Sequence, residues 1–214
     1  MKIISDNLVN HERKVMKFFK ENSYDVVRLF INQIGIAIFS MIIYTAVGMV
    51  DMNSKASLGA KAGISIFAML FYFSLLYTVA WELGAKDKIR IDGGRLDRKT
   101  IRGKGAKIAL LANIPNFVLS FVSALTWGLY LLGVEGAQGV AAIFNTFTRL
   151  LMSMYLGVLQ GTFDFCSDNT NLYMFMQAIG YLIIPVLAIL ATQIGYLFGL
   201  HERKIFSSNA NKKS

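Results

Sequence analysis

The chain has 214 residues, 55% hydrophobic and 16% charged, with a net charge of +9. A mean hydropathy of +0.49 and several apolar runs of roughly 20 residues exclude an ordinary soluble domain and place the chain among integral membrane proteins. The runs are continuously apolar rather than alternating, which favours helices over a β-barrel, because in lipid each backbone amide must be bonded within its own segment.

In chain order, residues 1–28 carry six Lys or Arg against four acids and are expected to form a cytoplasmic N-terminal segment. Leu8, Val9, Val15, Phe18 and Phe19 fall roughly on one helical side, the pattern of a surface-lying amphipathic helix or of a helix packed on a neighbouring loop. The apolar run that follows is too long for a signal-peptide core and is expected to stay as an anchor. That first span covers 29–50, with Arg28 at its cytoplasmic end and Asn32 and Gln33 one turn inside as helix–helix hydrogen-bonding groups. Residues 51–62 form a short outer loop. A second span covers 63–83, where Tyr77 and Trp81 match an interfacial aromatic belt.

The basic loop at 84–107 dominates the charge. From Trp81 to Lys107 there are nine Lys or Arg and four acids. Short basic loops stay cytoplasmic, so this one orients the molecule. Within it, alternation over 88–96 around Asp92-Gly93-Gly94 predicts a small β-hairpin. Gly103-Lys104-Gly105 lacks the upstream Gly and the Ser or Thr of a P-loop. Asp92-Gly93-Gly94-Arg95 matches the opening of the CDP-alcohol phosphotransferase signature but lacks its paired downstream aspartates.

The next run, 108–134, contains Asn113, Pro115 and Asn116. Because Pro115 has no amide donor, a kink flanked by two amides is expected. Residues 137–160 include Asn145 and Arg149, and a mid-membrane Arg costs at least ~3 kcal/mol. An acidic loop at 161–173 precedes the last run, 174–200, which contains Pro185. The tail at 201–214 is basic. Five crossings would put that tail outside, so the predicted fold is a single all-α domain: a polytopic transmembrane helical bundle of four spans plus one re-entrant or interfacial helix at 137–160, with five spans as the alternative. Gly157 to Gly161 and Gly195 to Gly199 each spell GxxxG, a spacing that permits close helix approach.

Three function classes compete. The first is a non-enzymatic accessory or assembly component that contacts anionic lipid or a protein partner through Arg90, Arg95, Arg98, Lys99, Arg102 and Lys104, alone or as a homo- or hetero-oligomer. The second is a transporter or permease component with a polar intramembrane path at Asn113, Asn116, Asn145 and Arg149. The third, a lipid-modifying enzyme, lacks its chemistry: the spans hold no carboxylate apart from Glu82 at the end of the second, both histidines flank the apolar region, and there is no HExxH. No cofactor, metal or nucleic acid is expected. The run Trp81-Glu-Leu-Gly-Ala-Lys-Asp-Lys-Ile-Arg-Ile-Asp-Gly-Gly-Arg95, with Asn32-Gln-Ile-Gly35 before it, resembles a group of uncharacterised small polytopic membrane proteins of Gram-positive bacteria. The resemblance covers the first three spans and implies a plasma-membrane location with no activity attached.

Overall fold

A computed structural model describes residues 2–50, 55–97 and 101–201, and every regular element among them is helical. Helix α1 (Lys2–Val50) and α2 (Lys55–Asp92) are long, and α3 (Lys104–Ala112) and α4 (Ile114–Leu131) follow. Then come α5 (Ala137–Leu151), a 3-10 turn at Ser153–Tyr155, α6 (Leu156–Thr162), a second 3-10 turn at Asp164–Cys166, α7 (Thr170–Ile183) and α8 (Pro185–Leu200). Four segments are long and apolar enough to cross a membrane: Met16–Val47, Leu58–Asp92, Ile114–Leu131 and Thr170–Leu200, the last joining α7 and α8.

The bundle is inside-out relative to a soluble protein. On α4, Ile114, Val118, Phe121, Leu125 and Leu129 are exposed, whereas Asn116, Ser120, Ser123 and Trp127 are buried. Both sets recur every three or four residues, so one helix face is greasy and outward while the other is polar and inward. Helix α1 repeats the scheme, with Ile31, Ile38 and Ile42 exposed and Gln33 and Ser40 buried. Such a surface is stable only against an apolar solvent.

Backbone contact holds the centre together. A Cβ on Gly195 would lie 2.6 Å from the Tyr77 carbonyl oxygen, and one on Gly199 would lie 2.9 Å from the Ala85 amide nitrogen. Helix α8 therefore lies against α2 with no side chain between them at these points. Gly157 does the same for α6: its amide donates to Ser65 Oγ at 2.8 Å. Both GxxxG spacings are thus used, each against α2. Of the aromatic pair at the end of the second span, Tyr77 departs from expectation. Tyr77 stacks edge-on against Phe198 with ring centroids 6.2 Å apart, and its hydroxyl is buried, so it packs α8 rather than anchoring at head groups.

One further expectation is corrected, and the N-terminal helix follows the packed alternative. No β-hairpin forms at 88–96, because α2 continues to Asp92 and ends in a Schellman motif: Arg95 N–H bonds Arg90 O and Gly94 N–H bonds Ile91 O, both at 2.9 Å. Gly94 supplies the positive φ of 68°. The Gly-Gly turn signal was sound, but it closes a helix. The N-terminal segment runs unbroken into the first span, and the Lys107 ammonium lies 5.8 Å from the Phe18 ring centroid, so this helix is packed onto α3. Side chains of residues 1–12, including Leu8 and Val9, are outside the described set, as is the 202–214 tail.

Pro115 interrupts its helix where expected, at Asn113, and Pro185 does the same to the last run at Ile184. Between α5 and the Ser153–Thr162 arm the chain bends by 86°. The direction of each arm follows from its contacts. Asn116, near the start of α4, pairs with Gln33, while Trp127, near its end, packs with Ala141 of α5. Leu151 O then accepts from Gln33 Nε2 at 3.3 Å, so α5 runs antiparallel to α4. Ser153 Oγ next donates to Ala37 O at 2.5 Å, and Gln160 accepts from the Tyr44 hydroxyl. The second arm therefore climbs α1 back toward the level from which α5 started.

Replacing Gly199 with Ala pushes a methyl into the α2 backbone and should cost about 1–3 kcal/mol. Gly139→Ala, whose Cβ would meet nothing within 4 Å, should be neutral or gain up to ~1 kcal/mol of helix propensity. Thermal unfolding of both variants in neutral detergent checks the contrast.

Candidate functional site

At the end of the bundle carrying the basic segment, α2, α3 and α8 enclose a pocket of about 780 Å³. Ile91, Ile101, Leu197 and Leu200 form apolar walls, and Lys88, Arg102 and His201 stand at the rim with Asp92. Lys88 leans on Asp92 at 3.7 Å, and His201 Nδ1 lies 2.8 Å from Leu197 O. Helix α3 opens toward this space. Its N-cap, Gly103, has φ 69° and offers no side-chain cap, so the first-turn amides look elsewhere for acceptors. One finds Gln193 on α8, whose Oε1 accepts from Ala106 N–H at 2.8 Å.

Behind the pocket sits a buried ion pair. Asp87 is 0% exposed; its Oδ2 lies 2.8 Å from the Lys104 ammonium, whose side chain is 12% exposed. The Tyr196 hydroxyl donates to the same oxygen at 2.8 Å. Arg90 reaches Oδ1 at 3.6 Å from a mostly exposed position. The positive-φ turn at Gly103 brings Lys104 back over α2, and the pair ties the basic segment to α8.

The six basic residues singled out from sequence therefore separate. Lys104 is committed to Asp87. Arg90 touches Asp87 but projects outward, Arg95 and Arg102 are exposed, and Arg98 and Lys99 lie outside the described residues. Asp87 itself was overlooked because the helix was expected to stop at Leu83. Extending the helical period beyond that point would have found it: Tyr72, Leu76, Ala80, Gly84, Asp87 and Ile91 share one face of α2, and the first five are buried.

The four intramembrane polar residues form two groups. Asn116 and Gln33 exchange side-chain hydrogen bonds at 2.8 and 2.9 Å. Asn116 also donates to Asn113 Oδ1, and Asn113 donates to Ala109 O, both at 2.8 Å. Every amide in this group is answered, which is how an interhelical tie behaves. The second group joins α5 to α7. Arg149 donates to Gln177 Oε1 at 2.5 Å and lies 3.0 Å from the Met174 sulfur, while Asn145 Nδ2 is 3.5 Å from that sulfur. No hydrogen bond among the described residues connects the two groups.

Among the described residues no cluster of three or more His, Cys, Asp and Glu could hold a metal ion. No protein-family model, curated protein or solved structure matches the chain.

Truncating Lys104 strands a buried carboxylate, so Lys104→Met should cost about 3–5 kcal/mol, whereas Arg102→Met at the exposed rim should stay within ~0.5 kcal/mol. Chemical unfolding in detergent micelles compares them. Asn116→Leu, which orphans Gln33, should cost roughly 1–3 kcal/mol in the same assay.

Proposed function

We propose that this protein is a non-enzymatic component of the bacterial plasma membrane that holds anionic phospholipid at its cytoplasmic face. The pocket between α2, α3 and α8 carries the reading: apolar walls suited to an acyl chain, a cationic rim suited to a phosphate, and the positive end of the α3 dipole beside both. In this reading the N-terminus is cytoplasmic, the four apolar segments cross, and the α5–α6 bend is a re-entrant hairpin entered from outside. The two-armed course of that hairpin along α4 and α1 supports this topology, which also keeps all three basic segments on one side.

The topology is tested in a Cys166→Ser background with single cysteines at Arg95, Glu135 and Asp168. Membrane-impermeant maleimide should label positions 135 and 168 on intact cells and position 95 only after permeabilisation. Labelling of 135 and 168 from opposite sides would make 137–162 a fifth crossing. For the lipid function, native mass spectrometry should detect retained phosphatidylglycerol. Converting Lys88 and Arg102, the rim cations of the pocket, to Gln should lower that retention by more than tenfold, at ~1 kcal/mol per cation. Equal retention by the double variant would sink the reading.

A further inference from the structure

The other end of the bundle poses an electrostatic question that the lipid pocket does not touch. Arg149 sits inside the apolar belt and makes no ion pair among the described residues. Its hydrogen-bonding neighbours are the neutral Gln177 Oε1 and the Met174 sulfur. The acid nearest this region, Asp164, acts on Tyr173 but does not pair with the guanidinium. A second cation, Lys61, lies 5.7 Å from the Tyr44 ring centroid, and Tyr44 is within electrostatic reach of Arg149. The local charge is therefore positive and unbalanced.

The neighbouring side chains are also incompletely satisfied. Arg149 Nε, Gln177 Nε2, the Tyr181 hydroxyl and Asn145 Oδ1 are all buried without a hydrogen bond of good geometry among the described residues, although the Tyr173 hydroxyl lies close enough to Gln177 to interact with it. Gln177 and Tyr181 are each 0% exposed and Asn145 5%. They sit together for simple reasons: Gln177 and Tyr181 are one turn apart on α7, Asn145 and Arg149 one turn apart on α5, and the Arg149–Gln177 bond joins the two helices. Three of the four unmet atoms are donors. Side chains on a helix lean toward its N-terminus, so Arg149 reaches back along α5 toward the end where that helix begins. This is the end shared with Glu135 and Asp168.

We infer that this polar cluster between α5 and α7 binds an oxyanion, a carboxylate or phosphate, with Arg149 as counter-charge and Gln177 and Tyr181 as additional donors. The Arg149 Nε–H, one prong of the side-on guanidinium fork, is unmet, and the other prong, on Nη2, is held only by the neutral Gln177 oxygen and the Met174 sulfur, which an anion oxygen would displace. Water could answer the donors but not the charge, whose burial without an opposite charge is the larger cost. Asn145 Oδ1 supplies the one acceptor, suited to a hydroxyl on the same ligand. The oxyanion comes either from a free solute or from the head group of an outer-leaflet lipid.

The test is thermal unfolding of the full-length protein in neutral detergent, titrated with phosphate or acetate against chloride, and in nanodiscs of phosphatidylglycerol against phosphatidylcholine. Ligand that binds only the folded state raises Tm with the logarithm of its concentration. A rise with phosphate or acetate in the wild type that is lost in Arg149→Gln identifies a free solute. A rise confined to phosphatidylglycerol and lost in the same variant identifies a lipid head group. Arg149→Lys, which keeps charge but not the fork, should weaken either response. Gln177→Glu places a carboxylate beside Arg149, so it should raise the anion-free Tm and abolish the response, which keeps the test decisive if Arg149→Gln does not fold. The inference is overturned if wild-type Tm is the same with every probe, or if Arg149→Gln, or Gln177→Glu where Arg149→Gln does not fold, responds as the wild type does.

Discussion

Everything in this bundle is referred to α2, because two other segments touch its backbone directly. Gly195 and Gly199 bring α8 against the Tyr77 carbonyl and the Ala85 amide, and Gly157 brings α6 to hydrogen-bond distance of Ser65. In lipid there is no hydrophobic gain from pressing one apolar helix on another, so dispersion over a close, smooth contact has to supply the association. That contact puts Tyr196 opposite Asp87 and seats Gln193 beneath the first turn of α3. Without it, neither the ion pair nor the pocket between α2, α3 and α8 would have a wall.

The same economy governs the polar interior. Groups that tie helices together are answered in pairs: Gln33 with Asn116, Asn116 with Asn113, Ser153 with the Ala37 carbonyl. Asp87 is answered by Lys104 and Tyr196. Against that background the α5–α7 group stands out, because it gathers four of the nine unmet buried side-chain atoms of the described residues around a cation that makes no ion pair among them. Local frustration of this kind is expected where a protein leaves bonding capacity for something other than itself. The two polar regions are thereby chemically different, one an apolar pocket with cations at its edge, the other a cluster of unmet polar groups around a partly buried cation.

How much of this could be read in advance depends on whether the deciding physics is local. Run length and the absence of alternation are properties of consecutive residues, so helical, membrane-compatible segments follow from them directly, as do the breaks at Pro115 and Pro185. The Gly93-Gly94 turn was equally local, yet its meaning was not. Alternation over five residues cannot distinguish a strand from the last turns of a helix whose preceding 30 or so residues are already helical. The missed hairpin and the missed Asp87 are one error, since both required α2 to extend past Leu83.

The bulk character of the protein, a helical chain built for an apolar solvent with a basic segment between its spans, was determined by the amino-acid sequence alone, because solvent preference sums over neighbouring side chains. Which polar residues meet was decided only in three dimensions. Asn113, Asn116, Asn145 and Arg149 look alike on paper, but antiparallel packing of α4 and α5 gives the first two to Gln33 and the last two to α7. Lys104 looked like any other cation of its loop until the Gly103 turn carried it onto Asp87. Partner choice across 17 residues in that case, and across 83 in the amide tie, depends on where whole helices lie, and sequence spacing carries no record of that.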